Sequence, residues 1–216
     1  MSSSIIQVFA ERIDHPRWQQ AETELINTLS PSMRESVECI NHPLQKKRSV
    51  VARLLLIEVL AKHYRRSHLS EHWNLAANSK PEIDGFPFNF SHAGNWVFLA
   101  INEECPVGID VERRRNIEPT KFKKHFSPGE LEWIQRHPKP DLAFIEWWTK
   151  KEAVVKAIGV GLRMPLRDLI EHSPRKYEVE GVLYTAIQLP HPEPDYRAHL
   201  AVAAENPTVQ VNYVSR

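Results

Sequence analysis

Two acids, Asp110 and Glu112, stand two residues apart in PVGIDVERRR, within an apolar, β-branched run that ends in three arginines. Successive side chains of a strand point to opposite faces, so Ile109 and Val111 would take one face and the two carboxylates the other. Carboxylates that close raise each other's pKa unless a cation lies between them, and a hard divalent ion is the simplest such cation. The plain alternative is a half-exposed edge strand with solvated acids. A second group lies in WWTKKEAVVKAIGVGL, residues 147–162. At helical spacing Phe144, Trp147, Trp148, Val154, Val155 and Ile158 fall on one arc, with Lys151 in its middle. A lysine turned toward a core needs an anion, either a carboxylate or a phosphate. Glu152 and Lys156, at i and i+4 on the edge of the same stripe, could equally be an ordinary surface pair. A third group, Ser91 and His92 in FNFSHAGNWVFLAIN, falls at the turn end of a hairpin beside Gly94. A hydroxyl and an imidazole there could seat a phosphate or cap their own backbone.

The elements that would position these groups are legible along the 216 residues. Residues from about 45 to 66 are continuous helix formers, apolar on nearly every side from Val50 to Ala61, as in a largely buried helix. Arg53 sits among Val51, Leu54 and Leu55, where it would meet either a structural acid or a ligand phosphate. Two strand-like runs follow, GFPFNFS and NWVFLAIN, joined by a turn at Ala93 and Gly94. The order then repeats: a helix in DLAFIEWWTKKEAVVKAIG, then strands in KYEVEGVLYTAIQL and YRAHLAVAAE around the loop PHPEPD. The class is therefore α+β, a pseudo-duplicated pair of helix-plus-antiparallel-sheet halves at 1–105 and 106–216, with VGIDVE opening the second. With 42% hydrophobic and 25% charged residues and a net charge of +1, there is no global basic field and no nucleic-acid partner is expected. The most apolar window is interrupted by Arg53 and Glu58 and is too short to span a membrane. Two cysteines without CxxC spacing point to the cytoplasm. His68 and His72, four residues apart, lack a third ligand for zinc and read as surface histidines.

The three segments, in this order, resemble the Sfp-type 4'-phosphopantetheinyl transferases. NFSHAGNW, VGIDVE and WTKKEAVVKAIGVGL carry the likeness, with KPEIDGFPFNFSH and HFSPGE between and around them. It runs from about residue 46 to residue 165. It implies two α+β halves in one chain, acting as a monomer, with the active site at their seam. It also implies Mg²⁺, with Mn²⁺ a possible substitute, held by Asp110, Glu112 and Glu152 and bridging the pyrophosphate of coenzyme A. Phosphopantetheine would pass from coenzyme A to a serine of an acyl or peptidyl carrier protein, leaving adenosine 3',5'-bisphosphate. Lys151 would neutralise charge on the departing phosphate, His92 would donate to the pyrophosphate, and Ser91 would belong to the same phosphate-contacting turn. Glu152 is the implied base for the serine proton, with Lys156 supporting it or a phosphate. Arg53 and Lys80 match positions near the 3'-phosphate and adenosine. The chain departs after Ser30 and Pro31, carrying Met33 and Ser36 where relatives often carry lysines, so Arg48 or Arg34 would substitute. Arg113, Arg114 and Arg115 would form a basic rim for carriers that are acidic around their serine. The rival readings are a metal-dependent nucleotide phosphodiesterase and a non-catalytic coenzyme A-binding module.

Overall fold

Strand alternation and helix-terminating residues divide the chain, described by a computed structural model over residues 5–75, 81–160 and 164–214, into helices and largely antiparallel sheet. In order these are β1 (Ile5–Arg12), α1 (Glu22–Asn27), α2 (Pro31–Glu38), α3 (Pro43–Lys62), β2 (Trp73–Leu75) and β3 (Pro81–Ile83). Then come β4 (Phe88–Ala93), β5 (Trp96–Ile101), β6 (Val107–Arg113), α4 (Pro128–Arg136) and α5 (Pro140–Ile158). The chain closes with β7 (Glu171–Ser173), β8 (Lys176–Val179), β9 (Val182–Leu189), β10 (Tyr196–Val202) and β11 (Thr208–Tyr213). The fold is mixed α+β, as its element order suggests.

Both long helices fall within a few residues of their expected bounds. Proline opens each, where its missing N–H costs nothing, and Gly159 at φ +83° ends α5. The expected single run KYEVEGVLYTAIQL is broken: Glu180 at φ +51° and Gly181 at φ +78° form a tight turn that folds β8 back on β9. Ser91 and His92, expected at a turn, lie inside β4, and the turn itself falls at Gly94 and Asn95.

One sheet has the order β11-β1-β5-β4, the other β6-β10-β9-β8-β7, and β2 and β3 form a separate ribbon. Thus β11, from the end of the described chain, pairs parallel with β1 in the sheet of the first half. Helix α3 buries Val51, Leu55 and Leu56 against Phe9, Leu99 and Ile101 of the first sheet. The opposite face of that sheet, with Val8, Phe98 and Ala100, shares a core with Ile109, Val111 and Leu200 of the second. Helix α5 covers the other side of the second sheet, where Val154 meets Tyr177, Ala186 and Ala201.

The approach of α5 to β6 depends on Gly108. A Cβ built there would lie 2.0 Å from the carbonyl oxygen of Ala153 and 2.3 Å from the amide nitrogen of Ala157. Both are helix backbone and cannot swing aside, so only glycine lets α5 lie this close to the acidic strand.

Candidate active site

The alternation of β6 works as its sequence suggests. Ile109 and Val111 enter the shared core, fully or nearly fully buried, while Asp110 and Glu112 take the other face, toward α5. Because α5 lies on Gly108, its residues Glu152 and Lys156 come to that face. Lys156 Nζ lies 2.6 Å from Asp110 Oδ1 and also donates to the Ile109 carbonyl at 3.1 Å. Asp110 is 6% exposed, and its Oδ2 is buried without a hydrogen-bond partner.

The three acids share one field. Burial raises the Glu112 carboxyl above its ordinary value, and the charge of Asp110 raises it further, with Glu152 adding to the effect. Glu152 is raised for the same two reasons, burial first and Asp110 second, while Lys156 opposes both. Mutual repulsion of this kind is what an intervening cation would relieve. Among the described residues, however, no three such side chains are gathered tightly enough to cage a metal as they stand. The donor set still suits a hard divalent ion: all three groups offer carboxylate oxygen, and Asp110 Oδ2 is a buried acceptor with nothing to accept from.

Asp110 and Glu112 open on a cleft of about 400 Å³ between α3, β4, β6 and α5, which Lys156 and Pro81 also line. Arg53 of α3 lines it and is 6% exposed. The sequence allowed either a structural acid or a ligand for this arginine. Among the described residues no acid meets it: its guanidinium donates to Ser36 Oγ at 3.0 Å and to Ser49 O and Oγ at 2.8 and 2.5 Å, and it lies over the Trp73 ring. Burial pushes it down to about 10, still charged at neutral pH. Ser36, one of the two positions where the chain departs from its resemblance, is therefore a support for Arg53, and Met33 is wholly buried core.

His92 lines the same cleft, with Nδ1 buried and unpartnered. Burial lowers its pKa, and the cations Arg48, Lys156 and Arg53 lower it further, so the ring is neutral at neutral pH. A neutral imidazole still has one N–H to donate. Arg48 donates to the Gly94 carbonyl at 2.8 Å and, with Arg113, Arg114 and Arg115, lines a neighbouring basic cleft of about 560 Å³ that meets the first at His92 and Glu112. Arg114 is engaged with Asp141 and Asp195. Arg34 is turned away, donating to the Asn27 and Leu29 carbonyls.

Lys80 lies outside the described residues. Lys151 is wholly buried, but its anion is a carboxylate and not a phosphate: Nζ lies 2.7 Å from Glu130 Oε2 and 2.9 Å from the Leu166 carbonyl. Glu130 also caps α4, accepting from Ser127 N at 2.8 Å while Ser127 Oγ accepts from Glu130 N. The ammonium thus ties α4 to α5 and does not line the cleft. The expectation that it faces a departing phosphate is corrected accordingly.

Comparison with known proteins follows the acidic strand. Residues 106–201 match the model of the 4'-phosphopantetheinyl transferase superfamily. The chain is 26% identical over 211 residues to the 4'-phosphopantetheinyl transferase Sfp of Bacillus subtilis, covering 87% of this chain and 94% of that protein. It is 39% identical over 90 residues to the 4'-phosphopantetheinyl transferase gsp of Aneurinibacillus migulanus, covering 40% of this chain and 38% of that one. A crystal structure of the Thermotoga maritima holo-[acyl-carrier-protein] synthase aligns with 46% of this chain and 63% of its own, at 18% identity and a TM-score of 0.35. That alignment is too distant to bear on the argument.

Proposed function

The chain belongs to the Sfp-type 4'-phosphopantetheinyl transferases, and on that premise we propose that the cleft between α3, β4, β6 and α5 binds coenzyme A and passes its phosphopantetheine to a carrier-protein serine. The observation that carries this is the lone buried oxygen of Asp110, set beside Glu112 and Lys156 in a cleft and within the field of Glu152, while the same cleft holds Arg53, which no carboxylate meets among the described residues. Such a site repels anions at one end and attracts phosphate at the other, a polarity that suits a cation-bridged pyrophosphate.

Asp110, Glu112 and Glu152 would hold Mg²⁺ or Mn²⁺, which when bound supplies charge neutralisation for the phosphates. Arg53 would hold a phosphate of coenzyme A through a charge that no acid among the described residues offsets. His92 donates one N–H to phosphate oxygen. Lys156, beside Asp110 in the same cleft, neutralises charge on the leaving group. The serine oxygen forms a new bond to phosphorus as the pyrophosphate P–O bond breaks, and adenosine 3',5'-bisphosphate leaves. Burial and Asp110 raise the proton affinity of Glu152. Glu152, the base that the family resemblance implies, is assigned the serine proton, directly or through water. Lys80 is retained as an adenosine contact and Arg48 as a second cation near the 3'-phosphate.

The repeated order of one long helix and its antiparallel strands supports two duplicated halves at 1–105 and 106–216, with the site at their seam and the chain a monomer. Both cysteines are free, in keeping with the cytoplasm. Among the described residues no helix is long and apolar enough to cross a membrane.

Mass spectrometry of an apo carrier protein incubated with this enzyme, coenzyme A and Mg²⁺ tests the reading. A gain of one phosphopantetheine, lost with EDTA and with Asp110→Asn, is expected. Release of the bisphosphate without any carrier present would instead mean hydrolysis and overturn it.

A further inference from the structure

β6 is the edge strand of its sheet, and the amides of Ile109 and Val111 point away from β10. Left alone, these buried N–H groups would be orphans. Among the described residues no strand pairs with them. Instead, two side chains of β4 stand in for one: Asn89 Oδ1 accepts from Ile109 N at 2.9 Å, and Ser91 Oγ accepts from Val111 N at 3.1 Å. Asn89 and Ser91 are two residues apart, as are the amides they serve, so the strand repeat sets the register. All four residues are buried.

Ser91 does more than cap an edge. Its single hydroxyl proton goes to Asp110 Oδ1 at 3.0 Å, and its second lone pair faces Lys156 Nζ at 3.4 Å. A serine hydroxyl has one proton and two lone pairs, and all three are engaged within the protein. Ser91 and Lys156 together hold Oδ1, which leaves Oδ2 as the uncommitted oxygen of Asp110.

We propose that Ser91 is a positioning residue for Asp110, pinning one carboxylate oxygen so that the other is presented to a divalent cation, and is not itself a phosphate contact. A phosphate bound at Ser91 would need a proton that Asp110 already holds. The inference deepens the proposed function, since it concerns the acid assigned there to the metal, yet its main test needs neither coenzyme A nor a carrier.

Mn²⁺ alone is titrated into the full-length protein and followed by electron paramagnetic resonance. Ser91→Ala is expected to weaken Mn²⁺ binding about 10- to 100-fold, the usual cost of removing a group that orients a metal ligand. Ser91→Thr, which restores a hydroxyl, recovers most of that loss. Asn89→Ala removes the neighbouring edge contact without touching Asp110, so it lowers thermal stability but leaves Mn²⁺ affinity within about twofold. Ser91→Cys keeps the volume with a weaker donor and reads the same quantity should the alanine variant unfold. At saturating metal, the KM for coenzyme A of the serine variants stays within about threefold of wild type.

Unchanged Mn²⁺ affinity with a tenfold rise in that KM would make Ser91 a phosphate seat and overturn the inference. An Asn89→Ala loss as large as that of Ser91→Ala would overturn it too, since edge capping alone would then explain both, as would a wild-type protein that binds no Mn²⁺. Wild type that binds Mn²⁺ yet modifies no carrier would sink the functional reading while leaving the Ser91 assignment intact.

Discussion

Removing Glu130 should cost far more than a surface charge would. Its carboxylate lies 2.7 Å from an ammonium whose side chain is wholly buried, and among the described residues the other oxygen on that ammonium is the Leu166 carbonyl. Breaking such a pair from one side typically costs about 3–5 kcal/mol, because a buried charge is left uncompensated. For a chain of this size that corresponds to a fall in Tm of roughly 6–20 °C. Glu130→Gln is the cleanest perturbation, since a glutamine can still accept from Ser127 N and keep the cap of α4. Lys151→Met in the same chain should restore most of the stability, so the double variant unfolds later than Glu130→Gln alone. The pH dependence has a definite sign. Burial lowers the Lys151 ammonium below its ordinary 10.5 and Glu130 opposes that shift, so Glu130→Gln lowers it further. A folded-state pKa below the unfolded one means that the unfolded chain binds more protons between the two values, and stability rises with pH across that window. The Glu130→Gln deficit should therefore shrink as pH climbs toward 10.5. Denaturant unfolding at several pH values gives the stability, and carrier modification at low temperature gives the activity of the folded fraction. A Lys151→Met variant that keeps its Tm but loses transfer would refute this reasoning and return the ammonium to the phosphate.

Gly108→Ala is expected to cost about 1–3 kcal/mol or more through overpacking, and to weaken Mn²⁺ binding as well, because the new Cβ must push α5 off β6; unchanged calorimetric and binding behaviour would mean that the helix has room to yield. His199 hydrogen-bonds Thr149 Oγ1 at 2.8 Å, and burial pushes its pKa down to about 3. The unfolded chain thus takes up an extra proton between about 3 and 6.5, and stability falls with falling pH across that range. In His199→Gln the acid limb should be shallower by up to ~1.4 kcal/mol per pH unit, and an unaltered slope would count against a neutral buried ring. Replacing Arg113, Arg114 and Arg115 together with alanine should raise the carrier KM at low salt, leave that for coenzyme A alone, and lose its effect at high salt. An unchanged carrier KM at low salt would end the docking idea.

How much of the site the sequence disclosed depended on how local each cause was. The two-residue repeat of VGIDVE and the 3.6-residue repeat of α5 are properties of short windows. The first put Asp110 and Glu112 on one face and the second gave Lys151 its need for an anion, while Glu152 read equally as a surface pair with Lys156 and joined the acids only through the family resemblance. Which anion Lys151 meets could not be read, because Glu130 lies 21 residues away and its visible signal, the capping pattern Ser127 to Glu130, accounts for it fully without any lysine. β1 and β11 went unassigned for a related reason: each finds its partner across most of the chain, Ile5 opposite Thr208, and nothing in either segment names the other. Gly108 was legible only as part of a motif. Its reason is the helix backbone of Ala153 and Ala157 pressing on the strand, a contact that exists only once the fold does. Ser91 is the sharpest case. A serine beside a histidine in a hairpin suggests a ligand for phosphate, and only the count of its proton and lone pairs against Val111, Asp110 and Lys156 reveals a hydroxyl already fully engaged. Residue type and spacing therefore named the candidate groups, while dividing them into those that would meet substrate and those that hold others in place takes the hydrogen-bond partners of each atom.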